Sequence, residues 1–265
     1  MEILAYFASA LIGISLGLIG GGGSILTVPV MVYLFGVNPL LATSYSLFIV
    51  GTTSLMGAYQ NWRNNLVNLK TVLLFGLTSI TTVFIIRKFF ISFLPAHLFS
   101  IFGFQVTSNV ITMVLFAVLM VAASLSMIRE KKTMEPDLST ASGNTLKLLL
   151  YGVGIGVTTG LLGAGGGFLL IPTLVILVGL PMKEAVGTSL MIIALNSLVG
   201  FAGDLGHFQI DWPFLLKVTS IAIAGIFLGS FLSTKIDSEK LKKGFGWFVL
   251  VMAGYIMLKE LLLKP

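Results

Sequence analysis

The chain has no cysteine and little charge. Disulfides, thiolate metal sites and cysteine nucleophiles are therefore excluded among its 265 residues. Charged residues make up 10% of the sequence, whereas a soluble domain carries about 25%. With 56% hydrophobic residues and a mean hydropathy of +1.03, the chain has too little polar surface to cover a water-soluble globule. We therefore predict an all-α polytopic membrane protein whose surroundings are a lipid bilayer.

Two further functions are disfavoured by what is scarce. The net charge of +6 does not predict nucleic-acid binding, because the basic residues lie in short clusters between apolar segments, as in cytoplasmic loops of membrane proteins. The only histidines, His97 and His207, are far apart in sequence, so we predict neither a metal site nor a cofactor.

The N-terminus, MEILAYF, lacks the basic region of a signal peptide, and we interpret it as the first membrane segment.

Glycine is abundant, and it is clustered. The stretch GLIGGGGSILTVP, Gly17 to Pro29, resembles a phosphate-binding loop but has Gly23 where that loop carries lysine. It recurs without a gap as GLLGAGGGFLLIP, Gly160 to Pro172. The same offset pairs Ser46-Leu47 with Ser189-Leu190. A shared proline followed by this match indicates an internal duplication, which is common in transporters.

The duplication predicts the architecture. We expect two homologous inverted membrane repeats, residues 1–128 and 148–265, joined by a cytoplasmic loop at 129–147. Each repeat would begin with a glycine-broken, re-entrant helical hairpin, and transmembrane helices would follow. Basic residues place the central loop inside, and the acidic loop Asp204–Asp211 falls outside. The basic pair Arg87-Lys88 does not fit this topology. Alternatively, Asp204, His207 and Asp211 form a proton relay.

The glycine clusters predict a binding site for a small anion. Broken helices at membrane depth are tolerated where they line a cavity, and half-helices beginning near Ser24 and Gly167 would direct free N–H groups and positive dipole ends at a ligand. In the alternative, the glycines only let helices pack closely, and the nearby hydroxyls bond their own helices. The predicted substrate-binding residues are Gly20, Gly21, Gly22, Gly23, Ser24, Ser46, Thr53, Gly163, Gly165, Gly166, Gly167, Thr188, Ser189 and Asn196.

With these motifs and Gly187-Thr188-Ser189-Leu190, the chain resembles the TauE/SafE family over nearly its whole length. The first repeat departs from the pattern, with Ser44-Tyr45-Ser46-Leu47 at the matching positions. The resemblance implies a secondary transporter of the prokaryotic plasma membrane for sulfur-containing anions such as sulfite, sulfonates or sulfoacetate.

We expect alternating access around the glycine breaks, with H⁺ or Na⁺ as the candidate coupling ion. An anion channel and a transporter of another small organic anion are the alternatives. An enzyme is not expected, because the sequence has no HExxH motif, no cysteine and no acidic pair inside a span.

Overall fold

The structure, a computed structural model, describes residues 2–90, 97–101, 104–129, 145–233 and 238–262. Most of the predicted central loop therefore lies outside the described residues. The helices of the first half are α1 (Glu2–Ile19), a 3₁₀ segment (Gly20–Leu26), α2 (Thr27–Tyr33), α3 (Pro39–Arg63), α4 (Leu69–Ile85), a π-helical turn (Ile86–Phe90) and α5 (Ser108–Ile128). The helices of the second half are α6 (Thr145–Leu162), α7 (Gly167–Leu177), α8 (Met182–Asp204), α9 (Trp212–Ser233) and α10 (Ser238–Leu262).

The predicted all-α polytopic fold is confirmed. Among the described residues, five helical segments are long and apolar enough to cross a bilayer, and they correspond to α3, α4, α5, α8 and α9. The sequence analysis assigned no element between residues 87 and 105, where the structure adds a short antiparallel hairpin of β1 (His97–Ile101) and β2 (Phe104–Thr107). This hairpin leads directly into α5.

Helix starts recur at the spacing of the sequence repeat. Helix α6 begins at Thr145 and α1 at Glu2, which are 143 residues apart. Helices α8 and α3 begin with the same separation, as do α9 and α4. The cap of α4 recurs as well. The side chain of Asn68 accepts a hydrogen bond from the Thr71 N–H at 3.0 Å, and that of Asp211 accepts one from the Phe214 N–H at 3.1 Å. Local sequence thus specifies the same helix starts twice.

The two halves are interlocked. Helices α3 and α8 pack together at the centre, and α5 packs against α10. Helix α1 packs against α9 of the second half, whereas α6 packs against α4 of the first. Each broken hairpin is therefore held by a helix from the opposite half, and neither half buries its own hairpin alone.

Small residues make these crossings close. A Cβ on Gly13 of α1 would overlap the carbonyl of Ala222 on α9. At the matching crossing, a Cβ on Gly156 of α6 would lie 2.8 Å from the carbonyl oxygen of Ser79 on α4. Close backbone approach of this kind is typical of packed membrane helices. The packing explanation for glycine is therefore correct for these positions, which lie before the breaks.

This packing predicts that Gly156→Leu destabilises the protein and Gly154→Leu does not. Gly156 faces α4 at contact distance, whereas a Cβ on Gly154, on the same helix, meets nothing within 4 Å. Overpacking should lower the free energy of unfolding by roughly 1–3 kcal/mol. The measurement is thermal unfolding of the detergent-solubilised variants, followed by size-exclusion chromatography. Equal melting temperatures for the two variants would contradict the α4–α6 packing.

Candidate functional site

The two glycine breaks meet at the centre of the molecule. A Cβ added to Gly21 would lie 2.6 Å from the Cα of Gly167, and one added to Gly167 would overlap the carbonyl of Gly21. Backbone therefore packs directly on backbone, and only glycine fits at either position. The sequence prediction that both clusters contribute to one region is consistent with this contact.

The second break is a turn of left-handed glycines. Gly163, Gly165 and Gly166 have φ values of 67°, 67° and 68°, a conformation that other residues adopt only with strain. Helix α7 then begins at Gly167, as the sequence predicted. Its first N–H groups have no acceptor within the helix, so this end carries the partial positive charge of the helix dipole.

The first break has a different shape. Gly20 has a φ of 72°, but Gly20–Leu26 forms a 3₁₀ segment that continues directly into α2. The half-helix predicted to begin near Ser24 therefore starts as 3₁₀ helix and becomes α-helical only at Thr27. The Ser24 hydroxyl donates to the Gly21 carbonyl at 2.8 Å and helps to close the tight turn. Gly22 and Gly23 lie within this segment, and a Cβ on Gly23 would be 2.5 Å from Ser15 Oγ.

Two predicted ligands instead join the halves through hydrogen bonds. The Ser24 hydroxyl shares its one hydrogen between the Gly21 carbonyl and the carbonyl of Ala164. The Ser46 hydroxyl donates to the carbonyl of Gly163 at 2.7 Å. Both side chains are fully buried. They supply partners for carbonyls that the turn leaves without a helical donor, as buried backbone requires. In this conformation these hydroxyls support the second break.

The remaining predicted polar residues divide between two roles. Thr53 donates to the carbonyl of Ile49 at 2.6 Å, and Ser189 donates to that of Val186 at 2.8 Å, so both bond their own helices. Thr188 accepts the N–H of Asn68 at 2.9 Å and so anchors the start of α4.

Asn196 is the exception among them. Its Oδ1 accepts the Ser79 hydroxyl at 2.9 Å. Its Nδ2 is buried and has no hydrogen-bond partner among the described residues.

Two hydroxyls that the sequence prediction omitted flank the second break. Thr159 Oγ1 and Ser197 Oγ are buried and also have no hydrogen-bond partner in the described part of the chain. Thr159 Oγ1 lies 2.5 Å from the Cβ position of Gly166, and Ser197 Oγ lies 3.3 Å from that of Gly165. We refer to Thr159, Gly165, Gly166, Asn196 and Ser197 as the second-turn cluster.

The sequence contained one usable signal for this cluster. Ser197 corresponds to Ser54 in the repeat, and Ser54 Oγ is likewise buried without a partner among the described residues. The recurrence of a serine at that position could have identified Ser197. Thr159 corresponds to Leu16, so the repeat gave no indication of it.

The second-turn cluster combines neutral donors with a helix N-terminus. A Cβ on Gly165 would contact Val50 and Ile193, which lie about halfway along α3 and α8. The donors therefore lie at the mid-length of the two central helices. Buried donors beside the positive end of a helix stabilise an anion without a charged side chain.

The three titratable residues of the predicted Asp204–Asp211 loop lie in different environments. Asp204 is the last residue of α8, is fully buried, and pairs with Arg87 at 3.0 Å. His207 and Asp211 are exposed. Arg87, which did not fit the predicted topology, is therefore a buried partner of Asp204, and its charge is no guide to the side of the membrane.

These features define a multi-pass α-helical membrane protein with broken helices that meet at its centre. A family model described as sulfite exporter TauE/SafE matches residues 5–256. The chain therefore belongs to the TauE/SafE family of membrane transporters and is a multi-pass protein of the prokaryotic cell membrane.

Named relatives agree with this class. A "Probable membrane transporter protein" of Xylella fastidiosa strain 9a5c is 29% identical over 96% of this chain and 94% of its own length. The "Probable membrane transporter protein YdhB" of Bacillus subtilis is 27% identical over 94% of this chain and 96% of its own. No solved structure matches the chain.

The hydrogen bonds at the breaks predict that Ser46→Ala and Ser189→Ala lower the stability of the protein to different extents. The two substitutions change matching positions in the two halves. Ser46→Ala leaves the buried Gly163 carbonyl without its donor and should lower the free energy of unfolding by roughly 1–3 kcal/mol. Ser189→Ala removes only a bond within α8 and should have a much smaller effect. Thermal unfolding in detergent measures both. A loss for Ser189→Ala as large as that for Ser46→Ala would contradict this role of Ser46.

Proposed function

We propose that the protein is a secondary transporter that moves small sulfur-containing anions, of the sulfite, sulfonate and sulfoacetate class, by alternating access around the two glycine breaks. The observation that carries the proposal is the second-turn cluster, where buried donors that have no partner in the described part of the chain adjoin the N-terminus of α7. Membership of the TauE/SafE family supports the choice of sulfur-containing anions. The bilayer and the small anion are then the partners of the chain.

The electrostatics of the cluster favour an anion that can accept several hydrogen bonds. A helix start contributes roughly half a positive charge, and the three side chains contribute neutral donors. None of the five residues of the cluster is acidic. A sulfite or sulfonate group presents three oxygens around one sulfur atom, whereas a carboxylate is planar and presents two. We therefore propose that sulfonates bind more tightly than carboxylates of the same size.

In this proposal, alternating access depends on two inverted repeats, residues 1–128 and 148–265. Contacts that recur at matching positions of the two halves support the repeat. The N–H of Asn68 donates to Thr188 Oγ1 at 2.9 Å, and at the matching positions the N–H of Asp211 donates to the Tyr45 hydroxyl at 2.8 Å. Tyr45 thus has a structural role that corresponds to that of Thr188. Exchange of the two repeat conformations would expose the cluster first to one side of the membrane and then to the other.

Transport of labelled anions by the purified protein in proteoliposomes tests the function. The panel is sulfite, methanesulfonate, sulfoacetate and acetate, each measured by net uptake and by counterflow. The proposal requires counterflow of at least one sulfur-containing anion and slower transport of acetate. Flux without counterflow would identify a channel. Faster transport of acetate, or the absence of flux for all four anions, would contradict the proposal.

The second-turn cluster predicts that Thr159→Val and Ser197→Ala weaken substrate binding without destabilising the protein. Neither hydroxyl bonds the described protein, so each can donate to the anion. We expect the KM for the transported sulfonate to rise by roughly tenfold for each lost hydrogen bond to a charged group.

Thr158→Val is the matched control for Thr159→Val. The Thr158 hydroxyl donates to the carbonyl of Ile155 in its own helix at 2.9 Å, and its loss should leave the KM unchanged. A KM unaffected in both Thr159→Val and Ser197→Ala would remove the cluster from the substrate site.

The proposed orientation predicts the accessibility of added cysteines. In our proposal the loop at 129–147 is cytoplasmic and the Asp204–Asp211 loop is extracellular. Gln209 is exposed, so Gln209→Cys should react with an impermeant thiol reagent in intact cells, and Ser139→Cys should react only after lysis. The native chain has no cysteine and serves as the background. Labelling of Ser139→Cys alone in intact cells would reverse the orientation.

A further inference from the structure

A buried ion pair lies beside the second break. Arg87 is in the π-helical turn that follows α4, and its Nη1 donates to Asp204 Oδ2 and to Thr43 Oγ1, at 3.0 Å in each case. Both charged side chains have an exposed fraction of 0%. A charge buried inside a membrane protein is rare and is associated with function, and π-helical turns are frequent at functional sites.

One edge of the guanidinium group has no partner among the residues that the structure describes. Arg87 Nε and Nη2 have no hydrogen-bond acceptor among the described residues. Asp204 Oδ1 has no donor there within hydrogen-bond distance, although the Ser44 hydroxyl lies beside the Asp204 carboxylate. The Nε and Nη2 hydrogens point in parallel and match two oxygens of one oxyanion. Arginine stays protonated in proteins, so this edge is a permanent, buried donor pair.

The ion pair is connected to the second break through Thr43. The Thr43 hydroxyl accepts from Arg87 at 3.0 Å, while its carbonyl lies where a Cβ on Gly163 would be. A Cβ on Gly160 would lie 3.0 Å from Ile86, the residue before Arg87. Movement of the glycine turn would therefore reach the guanidinium group through a single intervening residue.

The charge balance of this site depends on Asp204. Arg87 and the Asp204 carboxylate together are neutral, so a monovalent anion on the free guanidinium edge would leave a buried net charge of about −1, which is costly in low dielectric. A proton on the Asp204 carboxylate restores neutrality and releases the guanidinium from its internal partner. Lys88 and His207 are the nearby titratable side chains among the described residues, and both are exposed, whereas Arg87 and Asp204 are buried.

We propose that Arg87 is a second oxyanion-binding group and that Asp204 is its internal competitor, which accepts one proton when a monovalent anion binds to Arg87. The inference rests on the transport activity proposed above, and it assigns H⁺ as the coupling ion. One proton then crosses with each monovalent anion. The proton comes from water on the side of entry, is held as the O–H of Asp204, and leaves with the anion.

The test uses purified protein in proteoliposomes with labelled methanesulfonate and labelled sulfite, each measured in two ways. Counterflow at equal pH reports anion binding and exchange. Net uptake driven by an acidic outer solution reports proton coupling. Methanesulfonate stays a monovalent anion throughout, so its uptake does not arise from diffusion of a neutral acid.

The single variants separate the two roles. Asp204→Asn mimics the protonated acid and should keep counterflow within about twofold of the native rate while losing uptake driven by the pH gradient. Arg87→Gln should lower both by at least about tenfold, the factor that corresponds to ~1.4 kcal/mol. The controls Lys88→Gln and His207→Gln change exposed neighbours and should retain both activities.

The double variant Arg87→Gln/Asp204→Asn covers the case in which a single variant misfolds. Removal of both charges leaves none uncompensated, so its thermal stability should be close to native. If the ion pair serves only to join the end of α4 to α8, the double variant will transport at the native rate. That result would overturn the inference. The inference requires a folded double variant whose counterflow is reduced at least about tenfold.

The outcomes for the native protein and for Asp204→Asn are also distinct. If native protein shows no counterflow with either anion, the proposed function fails and this inference falls with it. If native counterflow is present and Asp204→Asn still accumulates methanesulfonate under the pH gradient, the proposed function stands and only the proton coupling is wrong.

Discussion

Each backbone carbonyl and N–H inside a bilayer needs a partner from the protein, and the second glycine break leaves several of them outside any helix. The protein meets this requirement with side chains from the other half of the chain. Ser24 reaches the carbonyl of Ala164, and Ser46 reaches that of Gly163. Because these donors come from the first half, the turn keeps its shape only when both halves are assembled. The hydroxyls of Thr159 and Ser197, which have no partner among the described residues, then adjoin a turn whose Gly163 and Ala164 carbonyls are already bonded.

Glycine has two separate roles in this fold. At the helix crossings, Gly13 and Gly156 allow backbones to touch, and the gain is close packing. At the breaks, Gly163 and Gly166 adopt left-handed conformations that direct the N-terminus of α7 toward the centre. The proposed anion site needs both roles. Close crossings hold the hairpins against α4 and α9, and the left-handed turn presents the donors. The Arg87–Asp204 pair adds two full charges to a proposed transport path that otherwise consists of neutral donors and a helix dipole.

The sequence predicted the larger features because they rest on composition and repetition. Hydropathy indicated the membrane helices, and the gapless repeat predicted matching helix starts and the beginning of α7 at Gly167. It did not predict the shape of the first break, because four glycines permit both a left-handed turn and a 3₁₀ segment. The pairing of Arg87 with Asp204 was also missed. Residues 117 positions apart meet only through tertiary packing, and a charged residue at a segment end resembles a loop residue. The sequence identified serine and threonine residues as candidate donors. Their hydrogen-bond partners depend on side-chain rotamers and on neighbouring residues, which the sequence does not show.

The contact between α1 and α9 has a consequence for biosynthesis. Helix α1 is made well before the helix that covers its glycine face, which begins at Trp212. Until α9 has been made, Gly13 and Gly17 therefore face lipid or the insertion machinery, while α2 of the first hairpin can already pack on α3 of its own half. The carbonyl of Ala164, which accepts from the Ser24 hydroxyl, is also made later than the first hairpin, although before α9. Insertion and folding are thus separated in time, and a nascent chain that stalls before α9 would present an unfinished hairpin to membrane proteases.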